Sequence, residues 1–269
     1  MAVATRVVSS RWSWLARLGR IAPAVAVGIG VIGLWELAIV VFDIDEFLLP
    51  KPSRIATTFV DEFAVLREAA QFTLRSIIGG LLIGTAAGVV VALATARFSF
   101  VTEASVPLAA AINSTPIIAL APITNQWFGI TDPLSNMAVV AAIVFFPVMI
   151  NVTRGLTTVD RDHLELLRSY AASERQVVLR ARLPNALPFL FSGLKVASSL
   201  AVIAAVVSEY FGGPRRALGV YITQQAAVPR FAEAWAAVVV ASAIGLILFA
   251  LITLLERLAM PWHASMRAE

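Results

Sequence analysis

The residues best suited to chemistry lie in one charged stretch, Asp160 to Pro188. Asp160, Asp162 and Glu165 have the composition of an acidic metal cluster. On a helix, however, residues two apart point to different faces, and Arg161 separates the first pair. Helix capping explains them better. Asp162-x-x-Glu165 and Ser173-x-x-Gln176 each fit a helix N-terminus, the second as a capping box. Two short helices follow, about Asp162 to Tyr170 and about Glu174 to Arg182, the second stopped before Pro184. Acids near the start of the first and arginines near the end of the second suit the helix dipoles. Leu164, Leu167, Ala171, Ala172, Val177, Val178 and Leu183 give both helices apolar faces, which a merely solvated connector does not need.

A second polar set sits inside apolar sequence. Asn113, Thr115, Asn125 and Gln126 share a segment with Pro116 and Pro122, and Ser198 and Ser199 lie in a later one. At membrane depth such groups need internal partners or a wet cavity. They line a solute path, or they belong to kinked helices whose neighbours satisfy them; the sequence leaves both open. No P-loop, G-x-G-x-x-G, H-E-x-x-H or G-x-S-x-G motif occurs. With no cysteine, a disulfide framework, a Cys-ligated zinc and a thiol nucleophile are excluded, and His163 and His263 are too far apart in sequence to suggest a metal centre. No catalytic constellation is present, so the chain reads as non-enzymatic, with no cofactor or metal of its own.

The surrounding elements are membrane spans. Of 269 residues, 59% are hydrophobic and 14% charged, against about 45–50% and about 25% in soluble domains. Six apolar segments are predicted, at 21–42, 74–96, 105–128, 136–152, 189–208 and 234–255. The first is too long for a secretory h-region and follows Arg6, Arg11, Arg17 and Arg20 with Trp12 and Trp14, as at a cytoplasmic interface. Between the first two, Pro50 and Pro52 break the helix, and Ser53 is placed as the N-cap of an amphipathic surface helix carrying Ile55, Phe59, Phe63 and Leu66, or else of a solvated loop. Gly80, Gly84 and Gly88 line one face of the second segment as a close-packing surface. Six spans put both termini on one side. Lys and Arg number 13 on that side and 7 on the other, Lys195 lying within the fifth span, so the termini and the charged loop are assigned to the cytoplasm. The domain layout is a cytoplasmic segment 1–20, a transmembrane domain 21–256 containing the loop 153–188, and a tail 257–269. Basic residues read as topology, and none interleaves with aromatics as nucleic-acid binding requires.

Glu165, with Leu183-Pro184 eighteen residues on, resembles the EAA loop, E-A-A-x3-G-x9-I-x-L-P, of permease subunits of binding-protein-dependent ABC importers. Leu166 and Leu167 stand for its two alanines, Ala171 for its glycine and Ala181 for its isoleucine. The phrases AASERQVVLRARLPNALPFLFSGLKVASSLAVIAAVVSEYFGG, LLPKPSRI and LLERLAMPWH are similar to the nitrate/sulfonate/taurine branch, so the resemblance covers most of the chain.

The resemblance implies an all-α, type I importer-like permease in a bacterial inner membrane. Its partners would be a second permease copy (a homodimer), two ATPase subunits that bind ATP and Mg, and an extracytoplasmic solute-binding protein. Glu165, Leu166, Leu167, Arg168, Ser169, Tyr170, Ala171 and Ala172 would contact the ATPase, and Leu183-Pro184 would hold the loop to the membrane body. If the family glycine serves a positive φ, alanine at 171 costs about 1 kcal/mol or more; if it serves packing, alanine is tolerated. The solute would be a nitrate-, sulfonate- or taurine-like anion, or a thiamine-pyrimidine- or riboflavin-like compound. The rival readings are a secondary transporter or channel without an ATPase, and a membrane-embedded enzyme. For the first, Glu36 and Lys195 are the ionisable residues within the apolar segments, and Glu36 reads better as a packed, hydrogen-bonded group.

Overall fold

A computed structural model describes residues 13–95 and 117–260, and all regular structure among them is helical. Four helical runs are long and apolar enough to cross a bilayer: Phe63–Thr95 (α3), Pro133–Thr157 (α5), the 37-residue run Glu174–Tyr210, and Phe231–Ala259 (α10). A shorter apolar helix, Val25–Val41, lies within Ser13–Val41 (α1). These match the predicted first, second, fourth, fifth and sixth spans. Most run past the apolar segments because hydropathy marks only the part in the hydrocarbon, about twenty residues.

The glycines of α3 do what their spacing predicts. A Cβ at Gly84 would come within 2.5 Å of the Ala141 carbonyl oxygen, and one at Gly88 within 2.9 Å of the Phe145 oxygen; at Gly80 it would strike Val140. Residues 80, 84 and 88 thus meet 140, 141 and 145 in ascending order, so α3 and α5 run parallel with their backbones in contact. α3 therefore ends, and α5 ends, at the same end of the bundle, here called the loop end because Arg161–Ser169 (α6) follows there.

Ala121–Phe128 (α4), preceded by a 3-10 turn at Ile117–Leu120, lies at the opposite end against the start of α5. The first part of the predicted third span, with Asn113 and Thr115, lies outside the described residues. Asp132 caps α5, accepting from the Leu134 N–H at 2.9 Å, with Pro133 in the first turn.

Pro52–Asp61 (α2) covers the first part of the predicted amphipathic helix, with Ile55 and Thr58 buried, while Phe63 and Leu66 fall on α3. Its cap differs from expectation. Lys51 holds the N-cap position and Ser53 lies inside the first turn. The Ser53 N–H and hydroxyl donate to the two Glu36 carboxylate oxygens at 3.0 and 2.7 Å. Glu36 on α1 supplies the capping oxygens that Lys51 lacks, which confirms it as a packed, hydrogen-bonded residue. Trp35 and Trp235, with ring centroids 5.3 Å apart, pack α1 on α10.

At the loop end the second short helix does not stop before Pro184. Glu174–Val177 (α7) continues through a π-turn, Val178–Arg182, into Leu183–Tyr210 (α8). The Leu183 N–H bonds the Val178 carbonyl five residues back. The extra residue widens the turn that the proline ring would otherwise crowd, and Pro184, in the first turn of α8, needs no N–H partner. Proline here reshapes one turn of a continuous rod. α8 then crosses α5 closely. An added Cβ at Gly155 would lie 2.7 Å from the Ala186 Cα, and one at Gly193 3.1 Å from the Asn151 Cβ. Asn185 Nδ2 donates to the Gly155 carbonyl at 2.7 Å. Leu218–Ala227 (α9), between the predicted fifth and sixth spans, closes the other end before α10.

Candidate functional site

The coupling-loop candidates form one compact feature. Asp160, not Asp162, caps α6, its Oδ1 accepting from the Asp162 N–H at 3.1 Å. The helix ends in a Schellman motif: the Ala171 N–H donates to Arg168 O at 2.9 Å and the Ala172 N–H to Leu167 O at 3.0 Å. That motif requires a left-handed residue, and Ala171 takes the strain at φ +52°. Position 171 therefore needs the positive φ that glycine accepts freely. Ser173 and Gln176 form the expected capping box; the Ser173 N–H donates to Gln176 Oε1 at 2.8 Å and the Gln176 N–H to Ser173 Oγ at 3.4 Å.

No residue of α6 is buried, although three of its nine are leucine. Leu166 is 53% exposed and Tyr170 beyond it 78%. Glu165, Arg168 and Ser169 are also exposed, and Leu164 and Leu167 are half-buried. The apolar residues predicted for docking divide by location. Val177 is buried, Leu183 packs against the core, Leu164, Leu167, Ala172 and Val178 are half-buried and Ala171 is exposed. Leu166 and Tyr170 of the coupling set, and Leu179 outside the predicted face, stay uncovered. The exposed set is narrower than the full predicted face. Leu183 thus ties the loop to the helical body beside exposed Pro184. A cavity between the π-turn and the ends of α3 and α5 is lined by Leu93, Leu156, Arg175 and Arg182.

The path candidates are not brought together. Asn125 is buried; its Oδ1 accepts from Ser135 Oγ at 2.6 Å and its Nδ2 donates to Phe211 O at 3.5 Å. Ser198 is buried and donates to Lys195 O at 2.7 Å. Gln126 and Ser199 are exposed, and Ser199 borders an apolar groove between α8 and α10 with Ile203, Val238 and Phe249. Of the described polar groups of the third segment, Thr124 and Asn125 are satisfied by neighbours and Gln126 is exposed.

Two acids escaped sequence reasoning because each lies one residue beyond a predicted apolar segment. Glu256, on α10, pairs with Lys195 of α8. Glu209, 1% exposed at the end of α8, accepts from Thr73 Oγ1 at 2.9 Å and from the Gly219 N–H at 2.8 Å. Their helical register with Ala201, Ala205 and Ile252, all buried, was the available sign.

The family model described as binding-protein-dependent transport system inner membrane component matches residues 84–260, about two thirds of the sequence and all of the loop and rod. The chain belongs to this family. It is a multi-pass permease of the cytoplasmic membrane, and transport rather than catalysis is the family's activity. It is 32% identical to the formylaminopyrimidine transport permease protein ThiX of Halalkalibacterium halodurans over 86% of this chain and 91% of that one. It is 27% identical to a putative aliphatic sulfonates transport permease protein, SsuC, of Bacillus subtilis over 95% and 90%. Similarity to sulfonate, bicarbonate and nitrate permeases places it in the nitrate/sulfonate branch. A crystal structure of an amino acid ABC transporter shares the fold, with TM-score 0.60 and 18% identity over 75% of this chain and 97% of that one.

Proposed function

We propose that this permease, paired with a second copy, forms the membrane path of an ATP-driven importer whose ATPase docks on Glu165 to Ala172. One observation carries this reading: α6 is a capped, geometrically fixed helix with no buried residue, and it exposes Leu166 and Tyr170 where a soluble partner can reach them. The excess of Lys and Arg on the loop side supports a cytoplasmic loop, and the chain has no P-loop of its own. ATP and Mg belong to the partner.

The mechanism is a two-state gate. ATP closing the ATPase dimer draws the two coupling loops together and turns the path outward; hydrolysis lets them part and releases solute inward. The driving force is the difference in affinity of the two conformations for ATP and for the loaded binding protein. The solute is a small nitrate-, sulfonate- or taurine-like anion, or a thiamine-pyrimidine- or riboflavin-like heterocycle, as the names of the relatives suggest, and the binding protein selects it. Ligand screening on that binding protein by thermal shift identifies it.

The docking test is Glu165→Arg together with Leu166→Asp, with the cognate ATPase subunit co-expressed. Co-purification of the ATPase and ATP-driven uptake are both expected to fall at least tenfold, while the permease itself accumulates normally. Unchanged assembly and uptake would sink the docking role.

A further inference from the structure

The bundle end opposite the loop is built around a buried carboxylate that neither the family assignment nor the coupling mechanism uses. A helix leaves its first N–H groups without intrahelical partners. α9 begins after Ala217, whose side chain has no oxygen to supply, so no local cap exists. The missing acceptors come from two other helices. The Leu218 N–H donates to Thr73 Oγ1 of α3 at 3.0 Å, and the Gly219 N–H donates to Glu209 Oε2 of α8 at 2.8 Å. Thr73 in turn donates to Glu209 at 2.9 and 3.1 Å to the two oxygens. Thr73 and Leu218 are fully buried.

Two further observations show that the arrangement is tightly specified, and a third sets it apart from the surface pair beside it. First, no ion pair recorded among the described residues includes Glu209. A carboxylate in such a place is held by its hydrogen bonds and by the positive end of the α9 dipole. An apolar side chain of similar volume would be easier to bury, so packing alone does not explain an acid here. Second, position 219 admits only glycine. An added Cβ would strike the Val206 carbonyl oxygen and approach the Glu209 Cβ to 2.7 Å, so α9 starts directly on the α8 backbone. Third, Arg216, just before α9, reaches Glu68 of α3 at 2.6 Å. That pair is exposed and adds little; the buried triad sets the geometry.

We propose that Glu209 is a positioning residue: through Thr73 and the first two amides of α9 it fixes α9, α3 and α8 into one rigid lip. The partner of that lip is the solute-binding protein, a point that rests on the importer reading. A binding protein seated on the lip then acts on α8 itself, whose helical run begins next to the coupling loop at Glu174.

The native chain has no cysteine, so paired labels are clean. Spin labels at Arg67→Cys on α3 and Gln224→Cys on α9, both exposed positions, are read in the full chain in phosphatidylethanolamine/phosphatidylglycerol nanodiscs. The otherwise native protein should give one narrow distance. Glu209→Ala should broaden it at least twofold, Glu209→Gln, which keeps an acceptor for Gly219, should restore most of it, and Glu68→Gln should leave it narrow. In the complex with its ATPase, the ratio of ATP hydrolysis with the cognate binding protein to that without should fall at least fivefold in Glu209→Ala and recover in Glu209→Gln. Should Glu209→Ala fail to accumulate, Thr73→Val, which keeps the shape and removes the hydroxyl, carries the same measurements. An unchanged distance overturns the positioning role and leaves the importer reading standing. A broadened distance with an unchanged hydrolysis ratio overturns the transmission through the lip. A native permease that assembles with no ATPase overturns the importer reading instead, while the distances still decide the role of Glu209.

Discussion

Ala171 shows how far a single residue can be read before its backbone is seen. From sequence, its departure from the family glycine left two outcomes open, one strained and one harmless. The structure selects the strained one: φ is +52°, inside a Schellman turn whose two hydrogen bonds are both formed. A left-handed non-glycine residue costs roughly 1–2 kcal/mol, part of which glycine would return as unfolded-chain entropy. Ala171→Gly is therefore expected to stabilise the closed turn by up to about 1 kcal/mol. Hydrogen exchange at the amides of Ala171 and Ala172 would slow about fivefold; exchange that is unchanged or faster would show that the strain is relieved elsewhere. The hydrogen-bonding residues whose partners were legible share a trait: those partners lie within one turn. Ser173 with Gln176 is local and was found. Glu209 finds its partners on α3 and α9, and Glu36 finds its own on α2. No window of sequence contains both halves of such contacts, so the partners of both, and the role of Glu209, appeared only with the fold.

Among the elements, α3 and α5 share the most extensive contact, and it is the one that sequence spacing announced. Its small-residue stripe places backbone against backbone, so bulk there has nowhere to go. Gly84→Val would push its side chain into the Ala141 carbonyl and Cα, 2.5 and 3.0 Å from the first added carbon. A loss of about 2–3 kcal/mol is expected, read as a lower midpoint of thermal unfolding in detergent. Gly30→Ala on α1, where nothing lies within 4 Å, is the control and should move the midpoint little. Apolar length located the spanning helices well and their ends poorly. The π-turn was illegible for a different reason. A proline in sequence reads as a stop, but a stop and a one-residue widening differ only in whether the downstream helix packs back in line. α8 does so, held by Asn185 on the Gly155 carbonyl and by Leu183 on the core.

For the whole molecule, the layout makes a direct claim about sidedness. α6 lies at one end of the bundle and the turn carrying Arg215 at the other, so the two must face opposite compartments. With no native cysteine as background, Tyr170→Cys and Arg215→Cys can each be challenged with a membrane-impermeant maleimide in cells lacking the ATPase. Arg215→Cys should label in intact cells, and Tyr170→Cys only after permeabilisation. The reverse pattern would invert the topology and with it the docking surface. The continuous run from Glu174 to Tyr210 adds a mechanical consequence. At about 1.5 Å per residue it is about 55 Å long, and its close approach to α5 at Gly193 falls near the midpoint. A rod that pivots there is a lever with arms of nearly equal length. Its mechanical advantage would be close to one and it would reverse direction: a displacement inward at the loop end would reappear outward, at almost the same amplitude, at the other.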